Sequence, residues 1–274
     1  MNKSNMKLQL SAGYYLRFDH IAKLISYIAR NSMSGKLDYK KLLQEMGMSP
    51  KMIDNLCSYS VALGLKKNRK FDLEEMGIVI FNKDPFFQNN KTLWFLHYFL
   101  TSNKVYVVWN RLVNIIFYEN DRVTSQKALP YFQDLIGNFT ESSLRRNVPK
   151  EINAFFDVYT EQNFSNLRYI IKLSNHSYSI NNNPEVPDLC ILASCYLYRD
   201  RYMEGATGLE IEHLAKEKNS PGRVFHITEH QFRLALERLN AERLISIESR
   251  ANLDQIRFRP NENYLDIVKQ FYGE

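Results

Sequence analysis

The chain has 274 residues, 45% of them apolar and 24% charged, with a net charge of +6 at neutral pH. That length and balance suit two or three domains with ordinary cores, and they exclude a globally disordered chain or a small disulfide-held scaffold. The positive excess fits a nucleic-acid partner without demanding one.

The first block, residues 1–85, reads as a winged helix. Apolar spacing predicts helices over 18–30, 39–46 and 50–63, then a short basic hairpin and a further helix near Leu73. Between the second and third helices lies Met46-Gly47-Met48-Ser49-Pro50. Gly47 can end one helix in the left-handed conformation, Ser49 can cap the next, and Pro50 suits its first position. A short Gly-containing turn of this kind joins the helices of a helix-turn-helix. Ile53, Leu56, Cys57 and Ser60 recur at helical spacing and are expected to face inward, leaving Lys51, Asn55, Ser58 and Tyr59 outward. Asparagine can pair with an adenine edge and serine with either base type. Lys66, Lys67, Arg69 and Lys70 fall where a wing begins, and Lys40 and Lys41 sit on the preceding helix. From Arg30 to Lys70 there are nine basic residues against three acidic ones, an excess equal to that of the entire chain. The rival reading of such a run is a solvated face.

The second block, 86–165, reads as a helical middle domain. Apolar and aromatic residues crowd 91–100 and 104–118 so densely that both helices belong in a core. Thr124 or Ser125, and Thr140, stand where N-caps belong. Trp94, His97, Trp109 and Asn110 form an unusual polar–aromatic group. Core packing is the expected role, and a binding pocket is its rival.

The third block, 166–274, opens with 175–187, rich in Asn and Pro and expected to be a loop. Helices follow over 187–199, 209–216 and 229–241, then strands over 244–249 and 255–259. Thr228 and Gln231 have capping-box spacing. This is a second winged-helix pattern, so the fold class is mainly α, with tandem winged-helix units flanking a helical middle and small β-wings. From Leu209 to Arg259, nine basic residues meet eight acidic ones, which gives little attraction to DNA. His230, Arg233 and Leu234 on the outward face of 229–241 are therefore expected to meet a protein: another subunit or a second copy of the chain.

Cys57, Cys190 and Cys195 lie in apolar settings, as expected of buried thiols in a reducing compartment. No signal peptide is evident. The longest uncharged apolar run, 190–198, is about half the ~20 residues that span a bilayer, so no membrane partner and a cytoplasmic location are expected. Neither a glycine-rich phosphate loop nor a G-x-S-x-G elbow occurs. His226 and His230 are separated by the cap at Thr228 and do not share a helical face. The acidic runs 72–75 and 210–212 sit at helix starts, where they complement the dipole. No catalytic residues, metal or cofactor are expected.

Asp84-Pro85-Phe86, then Thr92 to Tyr98 (TLWFLHY), then Trp109-Asn110-Arg111-Leu112 and Asn114 resemble the hallmark run of a bacterial family catalogued as a domain of unknown function, DUF4007. The resemblance extends over most of the chain. Members are often encoded beside DNA phosphorothioation, sulfur-transfer and phage-defence genes, which implies a DNA-directed accessory role. Many open with Gly-His-Glu-Thr-Phe ahead of Leu-Arg. Here Ser11-Ala12-Gly13-Tyr14-Tyr15 precedes Leu16-Arg17, so any chemistry of that His-Glu pair is absent.

The functional expectation is a non-enzymatic accessory or regulatory protein of a phage-defence or DNA-modification system. It would bind double-stranded DNA through 50–63 and the basic hairpin. The alternative is an interaction adaptor within a multi-subunit defence complex. A nucleotide- or sulfur-handling enzyme is a third reading.

Overall fold

The computed structural model describes residues 6–31, 38–68, 71–174, 176–250 and 253–273. The fold is mainly helical with small antiparallel sheets. The chain divides into two compact units, Met1–Ile180 and Asn181–Glu274, rather than at 85 and 165 as the sequence suggests.

Unit 1 begins with α1 (Phe18–Asn31), α2 (Tyr39–Met46) and α3 (Pro50–Ala62). The turn between α2 and α3 forms as its residues dictate. Gly47 takes φ 63° and bonds back to Leu43 O, and the Ser49 hydroxyl accepts from Met52 N. A single bridge pairs Lys66 with Leu73 before α4 (Glu75–Lys83). That helix approaches the preceding chain closely: a Cβ on Gly77 would lie 2.0 Å from Leu65 O.

Near Asp84 the chain turns without leaving the unit, since the Asp84 carboxylate accepts from Gln88 N and Asn89 N. The unit continues through α5 (Asn90–Thr101), α6 (Val107–Arg111), a π-helical turn (Leu112–Ile116) and α7 (Phe117–Glu119). Thr124 and Thr140 cap α8 (Ser125–Ala128) and α9 (Glu141–Thr160). Within 175–187, expected to be loop, Tyr178–Ile180 form one arm of a hairpin. There β1 (Ile170–Lys172) pairs antiparallel with β2 (Tyr178–Ile180), Ile170 opposite Ile180.

Trp94, His97 and Trp109 are buried in this unit's core. The His97 Nδ1 bonds the Tyr159 hydroxyl, and Asn110 donates to Thr101 O at 2.8 Å. Their hydrogen bonds are internal, as core packing requires.

Unit 2 runs α10 (Asp188–Tyr202), β3 (Gly208–Glu210), α11 (Ile211–Lys216), α12 (Pro221–Phe225), α13 (Glu229–Ala241), β4 (Ser246–Arg250), β5 (Leu253–Arg257) and α14 (Tyr264–Gln270). Residues 209 and 210, expected to open a helix, belong to β3, and the sheet order is β3-β5-β4 with Leu209 and Ile247 both opposite Ile256. Phe232, Ala235, Leu236 and Leu239 are buried along α13, as their spacing predicts, and so are Cys190 and Cys195. The capping box at Thr228 and Gln231 is formed in both directions.

Candidate nucleic-acid interface

The exposed stripe of α3 is narrower than its sequence suggests, and it is rotated. Lys51, Asp54 and Ser58 face solvent, with Cys57 and Val61 half-buried beside them. Asn55 and Tyr59, expected to point outward, are instead 5% and 0% exposed. The reason lies in the N-terminal segment. The Asn55 amide donates to both Leu10 O and Ser11 O at 2.8 Å, and the Tyr59 hydroxyl donates to Tyr14 O at 3.3 Å. A polar group buried this way is committed to its partners, so Asn55 and Tyr59 are structural residues and not base readers.

The same segment is gripped from its other side by Glu151 on α9. Its carboxylate accepts from Leu10 N at 2.9 Å, Ser11 N at 3.0 Å, the Ser11 hydroxyl at 2.7 Å and Trp109 Nε1 at 2.7 Å. Burial raises the Glu151 pKa, and the bonds from Ser11, Trp109 and Leu10 oppose that shift. Leu10 and Ser11 are thus held between a buried carboxylate and Asn55 of α3, and with Tyr14 they bond the two buried α3 side chains that were expected to face outward.

The basic run divides into distinct groups. Arg30 is paired with Glu45 on α2 at 3.0 Å. Lys66, expected to grip phosphate from the surface, is 3% exposed. It donates to Lys67 O at 2.9 Å and lies 5.5 Å above the Phe71 ring, and burial lowers its pKa. Lys40, Lys41, Lys51 and Lys67 are exposed, with the Lys51 ammonium 5.7 Å from the Tyr14 ring. Arg69 and Lys70 lie outside the described residues.

A cleft of about 430 Å³ opens on α3, with Lys7 and Lys66 as its lysines. Its floor is the exposed stripe of α3: Asp54, Cys57, Ser58 and Val61. Lys7, Tyr39, Lys66, Asn68 and Phe71 line the rest. The Tyr39 and Phe71 rings are 6.1 Å apart and tilted. The Lys7 ammonium stands 5.7 Å from the Tyr106 ring. Burial, and then the nearby Asp54 charge, raise the Tyr39 pKa. The Ser58 hydroxyl donates to Asp54 O at 2.9 Å. Burial pushes the Cys57 thiol up to about 11, so the thiolate needed for nucleophilic work is scarce. Lys7 and Phe71 carry no sequence signal of this site. They reach it only through the folding of segments that flank the helices.

On α13, His230 and Leu234 are exposed, and Leu234 lines a groove of about 220 Å³ with Ile191, Ile227 and Ala235. Arg233 is occupied by Glu237 at 3.0 Å and Asp254 at 2.6 Å. Its guanidinium serves the unit's own surface.

The fold and this surface define a mainly helical protein of two units, with a lysine-bordered cleft in the first. The chain belongs to the DUF4007 family, described as a protein of unknown function, whose model matches residues 12–272. Two solved structures of SspB are similar to it, one of them magnesium ion-bound, with TM-scores of 0.74 and 0.73. Each is 17% identical, and each match covers 94% of this chain and 86% of the SspB chain. At that identity the likeness is one of fold. No curated protein matches the chain. Among the described residues, no three His, Cys, Asp or Glu side chains gather so as to hold a metal ion, and no helix is long and apolar enough to cross a membrane.

Proposed function

We propose that the protein is a non-enzymatic, cytoplasmic accessory subunit of a DNA-modification or phage-defence system, and that it binds DNA through the basic edge of unit 1. The observation that carries this reading is that Lys40, Lys41, Lys51 and Lys67, all within the segment that holds the chain's charge excess, are exposed. Ammonium groups on one edge attract the phosphate backbone and release its counterions. The family's gene setting and the likeness to the SspB fold support the pathway. Unit 2, with α11, α13 and the β4–β5 hairpin, has the element order of a winged helix, and we read α1–α3 with the Lys66–Leu73 bridge as its reduced counterpart. Base reading by α3 is not part of the proposal, because Asn55 and Tyr59 are held inside. The accessory role rests on Ser11 to Tyr15 standing where relatives carry His-Glu, with Ser11 spent on Glu151.

The test is fluorescence anisotropy with a random-sequence duplex over a salt series. Four lysine–phosphate contacts give a log–log slope of about −4. Replacing Lys40, Lys41, Lys51 and Lys67 with glutamate should abolish binding for every duplex sequence tested. Unchanged affinity in that variant would refute the reading.

The exposed Leu234 groove favours a second reading, an adaptor that docks another subunit through unit 2. Leu234→Asp should then weaken subunit capture while leaving DNA affinity unchanged.

A further inference from the structure

A helix that reads the major groove must project into a channel about 12 Å wide and 8.5 Å deep. The exposed stripe of α3 does the opposite. It forms the floor of a recess, with Lys7, Tyr39, Lys66 and Phe71 among the residues around it. A recess of this kind offers room to a group turned out of the stack rather than a ridge that enters a groove. The recess, at about 430 Å³, falls within the range of small-ligand sites.

Its lining separates two kinds of contact. Lys7 and Lys66 bring ammonium groups, each seated against an aromatic ring, Tyr106 and Phe71 respectively. An ammonium has three donors, and Lys66 spends one on Lys67 O. Burial disfavours the Lys66 charge, and an anion beside it would offset that cost. Tyr39 and Phe71 supply ring faces, the kind of surface on which bases stack without regard to sequence. The Asp54 carboxylate, also in the lining, repels a phosphate and so favours its placement beside the two ammonium groups.

We propose that this cleft receives a single unpaired nucleotide of a DNA strand, its phosphate beside Lys7 and Lys66 and its base against Tyr39 and Phe71. The inference rests on the DNA-binding reading above and deepens it. It assigns the open lysines to the flanking duplex and the cleft to a nucleotide out of the stack.

The experiment compares two labelled duplexes, one fully paired and one carrying a single-nucleotide bulge, by anisotropy at fixed salt. Direct calorimetric titrations with deoxyadenosine monophosphate and with inorganic phosphate accompany it. The bulged duplex should bind at least about tenfold more tightly, the worth of one stacked base. The nucleotide should bind measurably, and inorganic phosphate should bind far more weakly. Lys7→Met and Phe71→Ala should bring the two duplexes within about twofold of each other. Lys40→Met with Lys51→Met should weaken both duplexes equally and keep the preference. Lys66 is avoided because it is buried, and circular dichroism confirms that each variant is folded. Equal binding of both duplexes with no heat from the nucleotide overturns the proposal while the DNA reading stands. Nucleotide binding lost in Lys7→Met, in a protein that binds no duplex, supports the cleft and refutes the DNA reading. Phosphate binding as tight as the nucleotide overturns the assignment of Tyr39 and Phe71 to a base.

Discussion

Replacing Glu151 with alanine should release the N-terminal segment from unit 1. The carboxylate accepts from four donors, Leu10 N, Ser11 N, the Ser11 hydroxyl and Trp109 Nε1, all between 2.7 and 3.0 Å. An unsatisfied buried donor costs about 1–3 kcal/mol. The variant also escapes the expense of burying a carboxylate, which reduces the sum. The net loss should be about 3 kcal/mol or more, less than four such donors would sum to. Glu151→Gln keeps an acceptor near Leu10 N and Trp109, and its amide can donate to the Ser11 hydroxyl oxygen, so its loss should be nearer 1 kcal/mol.

The readout is convenient because Trp94 and Trp109, the two tryptophans of the chain, lie in unit 1. Intrinsic fluorescence during urea unfolding therefore follows that unit. Hydrogen exchange at Leu10 and Ser11 gives the local view: both amides should be protected in the wild type and open in the alanine variant. The pH dependence has a definite sign. Burial raises the folded-state pKa of Glu151 above the ordinary 4.5, so the folded state takes the proton more readily than the unfolded one. This group lowers stability above its folded pKa, and that cost is relieved as pH falls toward 4.5. The wild type should therefore gain on Glu151→Gln as pH drops through that window. An alanine variant within about 1 kcal/mol of the wild type, with Leu10 and Ser11 still protected, would refute the clamp.

Asn55→Ala removes two bonds to Leu10 O and Ser11 O. It should cost about 2 kcal/mol of unfolding free energy and leave duplex affinity within about twofold, whereas a base reader would show the reverse pattern. Gly77→Ala places a methyl 2.0 Å from Leu65 O. Because the obstacle is backbone, the loss should reach about 3 kcal/mol or more, seen as a lower urea midpoint by tryptophan fluorescence. Cys57, with its thiol raised to about 11, should react with Ellman's reagent slowly at pH 8 and about tenfold faster per pH unit up to pH 10. A rate at pH 8 equal to that of free cysteine would contradict its burial.

The legible parts of this chain share one property: their determinants lie within a few residues of one another. The left-handed Gly47, the caps at Ser49, Thr124 and Thr140, and the Thr228–Gln231 box all close over three or four positions. The same signal was available at Asn263 and Asp266, whose reciprocal cap opens α14, a helix the periodicity alone does not suggest. Glu151 also left a trace. It stands on the apolar stripe of α9 with Leu144, Val148, Ile152 and Phe155, so its helical position marks it as buried, although nothing local tells what it binds.

What the amino-acid order determined by itself is α1 to α3 with the turn between them, the caps of α8, α9 and α13, the inward face of α13 and the concentration of positive charge between Arg30 and Lys70. Which of those charges meet solvent was decided by tertiary structure. Leu10 and Ser11 lie 44 or more positions from Asn55 and 140 or more from Glu151, yet they cover the side of α3 that carries Asn55. Helical periodicity ranks faces by their own polarity. It cannot register that a distant stretch of backbone, with carbonyls needing donors and amides needing acceptors, will settle on a polar face and bury it.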